Sequence, residues 1–401
     1  MTTAAARVTV VGIGADGWAG LAPRSQQLVT AAAAVVGGAR HLALLPPVDG
    51  QARLPLPSPL RSGLRPLLEE HAAHGGVVVL ASGDPLVSGI ASTLLELGVA
   101  VAVEPAVSSV ALARARMGWP AETVTVLSLV GRPVARLARL LAPGRRVLVL
   151  SADGSTPAAV AGLLVEAGYG DSELSVLSDL GAETESRVDS TAAGWSGQAP
   201  SLNVVALSMA GPVVGSLTGG LPDDAFEHDG QLTRRDVRAS ALARLAPQPG
   251  QLLWDVGAGA GSIGIEWSRA DAACRAVAVE ADPERAARIA RNAERLGVPD
   301  LQVLHGRAPD ALAGLAAPDA VFVGGGATRD GVVDACLAAL RPGGRLVVHG
   351  VTLETEALLA RLHAEHGGEL TRISVETVAP IGSFRGWTPA RAVTQWSLVL
   401  G

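Results

Sequence analysis

The stretch Trp254-Asp255-Val256-Gly257-Ala258-Gly259-Ala260-Gly261 constrains this chain more than any other. The apolar run Leu252 to Val256 predicts a buried strand. Three alternate glycines then let the backbone turn sharply and approach a ligand where a Cβ would intrude. Ser262 to Arg269 predicts the helix that follows, so its free N–H groups face the same pocket. The product is a strand–glycine loop–helix cradle for a nucleoside-bearing cofactor.

Gly259 to Gly264 also match the dinucleotide pattern G-x-G-x-x-G, which alone is a weak signal. The register argues against it. The first glycine after the strand is Gly257, and counted from there the third dinucleotide glycine falls on Ser262. A second strand, Ala276 to Val279, ends in Glu280, spaced to accept both hydroxyls of a ribose; that carboxylate suits NAD as well as S-adenosylmethionine. Asp255-x-Gly257-x-Gly259-x-Gly261 resembles the first motif of class I S-adenosylmethionine methyltransferases.

With 401 residues the chain has room for two or three domains. Net charge is −6 with no basic block, which weighs against a nucleic-acid substrate. Every basic residue is Arg; the absence of Lys excludes P-loop ATP chemistry, Schiff bases and pyridoxal phosphate. Cys274 and Cys336 read as buried thiols in a reducing cytoplasm. No signal peptide or membrane-spanning run is expected. His71/His74 and His363/His366 have helical spacing but lack a matching carboxylate or Cys, so no metal site is expected.

In the first half, Arg7 to Val11, Val77 to Leu80, Val99 to Val103, Val124 to Leu127, Val147 to Leu150, Glu173 to Leu177 and Asn203 to Leu207 predict strands. Gln26 to Val36 predicts a helix, and His41 to Pro66 a surface loop. Asp84-Pro85 predicts a helix start. The loops carry Gly12-Ile13-Gly14-Ala15, Ser82-Gly83-Asp84-Pro85, Pro105-x-x-Ser108-Ser109 and Ser128-Leu129-Val130-Gly131-Arg132-Pro133.

In this order these loops resemble the tetrapyrrole (class III) methyltransferases, and more narrowly the cobalamin-pathway branch that methylates precorrin-6-type rings at C5. The resemblance implies two α/β lobes, about 1–104 and 105–208, with S-adenosylmethionine held between them. It implies cofactor contacts at Gly12, Gly14, Ala15, Ser82, Gly83, Asp84, Ser108, Ser109 and Val130. Many relatives have Pro where Ala15 stands, and this branch often has His where Val130 stands.

Residues 209–220 read as a linker rich in Gly, Pro and Ser. Thr233 is placed to cap a helix from Arg234 to Leu245. Beyond Glu280, the helix Pro283 to Leu296 presents Arg285, Arg288, Arg291 and Arg295 as a solvated face. Strands at Leu301 to Leu304, Asp319 to Val323 and Arg345 to His349, with closing strands at Thr371 to Thr377 and Ala392 to Leu400, complete a βα alternation.

Residues 221–401 resemble the decarboxylating C15 methyltransferase of the same pathway, through Leu221-Pro222-Asp223-Asp224-x-Phe226, Gln231-Leu232-Thr233 and Phe322-Val323-Gly324-Gly325-Gly326. The likeness implies a class I Rossmann-like fold with cofactor contacts at Thr233, Gly257, Ala258, Gly259, Ala260, Gly261, Glu280 and Ala308. The expected fold is α/β throughout, a two-lobed class III half followed by a class I half. The fusion implies a cytoplasmic, bifunctional methyltransferase with two S-adenosylmethionine sites, one per half. The implied substrate is a polycarboxylate tetrapyrrole, and because the class I relatives assemble as tetramers the resemblance implies a homo-oligomer.

Such chemistry needs no nucleophilic side chain, because the sulfonium already carries the activated methyl. No catalytic residue is assigned; Asp223, Glu227 and His228 are candidates for protonation steps, against plain loop solvation. Arg132, Arg234, Arg307, Arg329 and Arg385 are candidates for the substrate's acetate and propionate arms. Two other readings stay open: an RNA methyltransferase, and a carrier with one inactive half.

Overall fold

The computed structural model describes residues 8–213 and 215–401. Arg7, at the start of the first predicted strand, and Val214, in the predicted linker, lie outside the described residues. The chain separates into two compact units. One runs to Val134 and resumes over Pro143–Pro212; the other comprises Ala135–Ala142 and Val213–Gly401.

The first unit holds two sheets. In one, β1 (Val8–Ile13), β2 (Ala34–Gly37), β3 (Ala52–Pro55), β4 (Val77–Ser82) and β5 (Val101–Glu104) run parallel in the order β3-β2-β4-β1-β5. A parallel sheet is covered on both faces, so its strands read as unbroken apolar runs. Val8, Val10, Val77 and Val79 pack on one side with Leu64, Leu68 and Leu94. Val11, Ile13, Val78 and Leu80 pack on the other with Leu21 and Val29. This is the period-two alternation of a strand.

The second sheet contains β6 (Val124–Ser128), β7 (Arg146–Leu150), β8 (Glu173–Ser178), β9 (Ser186–Thr191) and β10 (Asn203–Ser208), ordered β6-β7-β10-β8-β9. β6 and β7 are parallel; the other pairings are antiparallel.

Two expectations change here. The helix predicted over Gln26 to Val36 is a helix only over Pro23–Ala31 and then becomes β2. The β-branched pair Val35-Val36 is fully buried between β3 and β4, so sheet packing overrides the helical propensity of the alanines before it. The loop expected over His41 to Pro66 contains most of the helix Ala39–Ala43, the strand β3 and the start of the helix Leu60–Ala72.

The second unit is built on β11 (Leu252–Val256), β12 (Arg275–Glu280), β13 (Gln302–His305), β14 (Ala320–Val323), β15 (Arg345–Gly350), β16 (Glu369–Ile373), β17 (Glu376–Ile381), β18 (Phe384–Pro389) and β19 (Val393–Val399). Seven form one sheet in the order β13-β12-β11-β14-β15-β19-β16, with only the β19 pairings antiparallel. The order reverses direction between β11 and β14, the switch point where open α/β sheets bind ligands beyond the strand ends. The α/β class expected for both halves is what the chain adopts.

β17 and β18 form a separate hairpin that the sequence reading did not anticipate. Val378, Ile381, Phe384 and Trp387 are exposed on it, so no buried face imprints an alternation on its sequence.

Candidate functional site

The glycine loop leaves β11 at the switch point. Gly257 and Gly259 have φ of +66° and +60°. A Cβ on Gly257 would stand 2.7 Å from the Gly325 carbonyl, and one on Gly259 2.8 Å from the Gln231 carbonyl. Both positions therefore need glycine for conformation and for clearance. The loop bounds a cavity of about 300 Å³ at the carboxyl ends of β11, β12 and β14, a volume within the range of small-molecule sites.

Glu280 lines this cavity with only 7% of its surface exposed. Its Oε2 accepts the Gly259 N–H at 2.8 Å and its Oε1 the Asp282 N–H at 3.0 Å. A carboxylate has about four acceptor positions, so two remain for a vicinal diol. Asp255 lies behind the loop, fully buried, with Oδ2 accepting the Gly264 N–H at 2.9 Å and Oδ1 without a partner. Burial, reinforced by the Glu280 charge, pushes its carboxyl up to about 7.

Of the second-half residues singled out from sequence, Gly257, Gly259, Glu280 and Ala308 line the cavity. Ala258, Ala260 and Gly261 shape its backbone instead. Ala258 donates to the Val279 carbonyl at 3.2 Å, Ala260 accepts from Asn292 at 3.1 Å, and a Cβ on Gly261 would meet Ile289 at 2.6 Å. Thr233 does not cap the following helix. That helix is Arg235–Leu245 with Arg234 at its cap, and the Thr233 carbonyl accepts from Arg238.

Sequence reasoning missed how the segment before the cradle is held. Arg238 is fully buried; its Nε donates to Glu266 at 2.5 Å, its Nη1 to Asp223 at 3.2 Å, and it also donates to the Leu221 carbonyl. Glu266 accepts the N–H groups of Gly220 and Leu221 at 2.5 and 3.0 Å. Phe226 lies under the Arg238 guanidinium at 4.8 Å.

The predicted solvated arginine face holds for the exposed Arg291 and Arg295 in accessibility, but the same helix also acts as a clamp. Arg285 pairs with Asp229 at 2.8 Å, Arg291 with Glu227 at 2.5 Å, and Arg288 is buried between Asp229 and Glu227. The reason is local: acidic residues 223–229 fold back onto this helix. Arg291 holds the Glu227 carboxyl below the usual carboxylate range. Asp223 is shared by Arg238 and Arg234, and His228 Nδ1 accepts from Gly230. Glu227 and Asp223 are thus ion-paired anchors of the segment.

Among the arginines proposed for a polyanion, Arg307 and Arg329 line the cavity, where Arg285 joins them. Arg234 is paired with Asp223, and Arg385 belongs to the exposed hairpin.

The first unit gathers a second cradle from backbone. A Cβ on Gly12 would collide with the Gly83 carbonyl and stand 2.6 Å from the Ala106 nitrogen. Gly83 donates to the Ile13 carbonyl at 2.9 Å, and its own carbonyl accepts from Ala106 at 3.2 Å. A Cβ on Gly83 would stand 2.9 Å from the Ser108 Cα. Gly12, Gly83 and Ser108 thus converge at the carboxyl ends of β1, β4 and β5. Ser108 caps the helix Ser109–Met117, its Oγ accepting from Ala111 at 3.1 Å.

Gly14 and Ala15 continue the loop after β1, where the Gly14 carbonyl accepts from Gly17 at 3.2 Å. Ser82 ends β4. Asp84 does not start a helix: its Oδ1 accepts the Leu86 N–H at 2.9 Å within a turn, and the helix Ile90–Glu96 begins later. The short polar side chain closes its own turn before a cap can form. Val130 is exposed beyond the end of β6, in the other sheet. Cys274 and Cys336 are buried. Among the described residues no group of His, Cys, Asp and Glu could hold a metal ion, and no helix is long and apolar enough to cross a membrane.

Residues 7–194 match the family described as tetrapyrrole (corrin/porphyrin) methylases, and residues 224–400 match the precorrin methyltransferase domain. A precorrin-6Y C(5,15)-methyltransferase [decarboxylating] from Sinorhizobium sp is 47% identical over 98% of this chain and 96% of its own length. The chain belongs to the precorrin-6Y C(5,15)-methyltransferase (decarboxylating) family. A member from Mycobacterium tuberculosis is 44% identical over 98% of this chain and 99% of its own. The crystal structure of the C-terminal domain of precorrin-6Y C5,15-methyltransferase from Rhodobacter capsulatus covers 46% of this chain and 98% of that one, at 44% identity and a TM-score of 0.44. Members of this family are S-adenosylmethionine-dependent, decarboxylating methyltransferases of cobalamin biosynthesis, and this chain is one of them.

Proposed function

We propose that this chain methylates a precorrin-6Y tetrapyrrole at C5 and C15 and removes its ring C acetate carboxyl as CO2, giving a precorrin-8 product. Residues 1–208 serve C5, residues 221–401 serve C15 and the decarboxylation, and each binds one S-adenosylmethionine. The observation that carries this reading is the glycine-walled cavity with Glu280 at the switch point of the second unit. Its residues fit the cofactor: two Cβ-intolerant glycines let the backbone at Gly325 and Gln231 close around the cavity, and Glu280 keeps acceptor capacity for a ribose diol.

When bound, S-adenosylmethionine supplies a methyl on a sulfonium, ready for in-line displacement by a ring carbon. The chain's own part is alignment and exclusion of water. Arg307 and Arg329 are free of protein ion pairs among the described residues, and they line the cavity. They are the guanidiniums we assign to the substrate's carboxylate arms. The carboxylate that departs as CO2 gives up its charge, so a tight Arg pair would oppose its loss. These two arginines therefore hold other arms, and the conjugated ring takes the electron pair left by decarboxylation.

We further take the enzyme to be cytoplasmic and self-associating. The support for self-association is the hairpin β17–β18, where Phe384 and Trp387 are 79% and 68% exposed. Incubating the purified chain with precorrin-6Y and methyl-labelled S-adenosylmethionine tests the reaction. Mass spectrometry should show two labelled methyls gained and one CO2 lost. A substrate returned unmodified overturns the reading.

A further inference from the structure

A polar cluster reaches the first unit's cradle through Ser82, while its other two members, Arg40 and His41, lie outside that cradle. Arg40 and His41 follow β2, and Ser82 ends β4, the neighbouring strand. Arg40 Nη2 donates to His41 Nε2 at 2.9 Å and to Ser82 Oγ at 3.3 Å; His41 Nε2 is 2.9 Å from the same Oγ. A guanidinium only donates, so His41 Nε2 carries the lone pair and the ring proton sits on Nδ1, which is buried. Burial first, then Arg40, lowers the His41 pKa to about 4, so the ring stays a neutral acceptor.

The cluster therefore carries one fixed positive charge. Both protons of Nη2 are occupied, while three N–H donors of Arg40 remain. Among the described residues Arg40 has no salt bridge; the Asp179 carboxylate acts on it only through space. In the order β3-β2-β4-β1-β5, Gly12, Gly83 and Ser108 belong to the β4-β1-β5 side, and Arg40 enters from β2. A ligand touching Arg40 extends beyond that cradle.

We infer that Arg40 binds a carboxylate arm of the tetrapyrrole in the first unit, with His41 as the positioning residue that aims it. This rests on the reading that the first unit methylates C5. Two ligands there could offer a carboxylate, the tetrapyrrole and the methionyl end of S-adenosylmethionine, and the placement beside the cradle selects the tetrapyrrole.

The test uses the full chain with precorrin-6Y and labelled S-adenosylmethionine, scoring methyl at C5 and C15 separately by 13C NMR. Arg40→Gln should raise KM for precorrin-6Y in C5 methylation by about 10- to 100-fold, the loss of one charge-assisted contact. Its C15 methylation and its S-adenosylmethionine affinity by calorimetry should match wild type. His41→Ala should raise the same KM with kcat nearly kept, and His41→Gln, which restores an acceptor, should recover it. An unchanged KM in Arg40→Gln overturns the proposal, as does a loss expressed as weaker S-adenosylmethionine binding. If the wild-type chain places no methyl at C5, the reading of the first unit falls and the inference with it.

Discussion

Replacing Arg238 by Met isolates what holds the wall of the second cavity. The wild-type guanidinium has no exposed surface and serves Glu266, Asp223, two backbone carbonyls and the Phe226 ring. Met preserves much of the volume but leaves Glu266, itself buried, without its counter-charge. Breaking a buried pair from one side costs about 3–5 kcal/mol, because an uncompensated charge stays inside. For a unit of this size that lowers the melting temperature by roughly 6–20 °C. Adding Glu266→Gln should restore about 2 kcal/mol, since no charge stays buried, although the single amide oxygen can accept from only one of the two N–H groups that the carboxylate serves, Gly220 or Leu221.

The effect reaches the site, because the same segment carries Gln231, whose carbonyl packs over Gly259 and whose side lines the cavity. Thermal unfolding of the three proteins, with hydrogen exchange read at the Gly220 and Leu221 amides, measures both consequences. Exchange there should accelerate in Arg238→Met and slow again in the double variant at the one amide that the new side-chain oxygen accepts from. A single variant within about 1 kcal/mol of wild type, or a double variant no more stable than the single, refutes the reasoning.

Glu280→Gln should weaken S-adenosylmethionine binding in the second unit by about 10- to 100-fold while sparing the first, so titration calorimetry of the full chain should lose one of two sites. Gly12→Ala places a methyl group on the Gly83 carbonyl and should abolish C5 methylation while C15 methylation persists, as product mass and 13C position report. Asp255 titrates near 3.8 unfolded and near 7 folded, so the native state holds the proton longer. Its contribution to stability is complete below about pH 4 and is lost as pH rises to about 7. Asp255→Asn should flatten that slope in urea unfolding measured across the window. Arg307→Gln and Arg329→Gln should each raise KM for precorrin-6Y at C15 with S-adenosylmethionine affinity retained, and unchanged KM values would remove them from the substrate site.

What the sequence made legible was local. β11, its glycines, the helix after them and Glu280 at the end of β12 each follow from a short run whose burial is written in its own residues. The same holds for Gly12, Gly83 and Ser108, which stand at the ends of apolar strands. The rest depends on partners distant in sequence. The arginines of the helix Pro283–Arg295 look like a wet face until residues 223–229 fold onto them. β2 looks helical until β3 and β4 bury it on either side. The Arg40–His41–Ser82 cluster joins residues about 40 positions apart, and only the strand order reveals it. The hairpin β17–β18 left no periodic trace because neither of its faces is buried within the chain.

The two cradles solve the same physical problem with different materials. Both lie at the carboxyl edge of parallel strands, and both demand glycine where neighbouring backbone comes within van der Waals distance. The second adds a buried carboxylate, Glu280, that accepts from the glycine loop itself. The first has no such group at Gly12, Gly83 and Ser108; Asp84 spends its Oδ1 on the turn it belongs to. The lining formed by Gly12, Gly83 and Ser108 in the first unit is therefore backbone and shape, whereas that of the second unit also carries charge. A carboxylate-to-amide change consequently has a clear target in one unit only. In the other, the addition of a single methyl group at Gly12 is the corresponding perturbation, because the wall of that cradle is main chain.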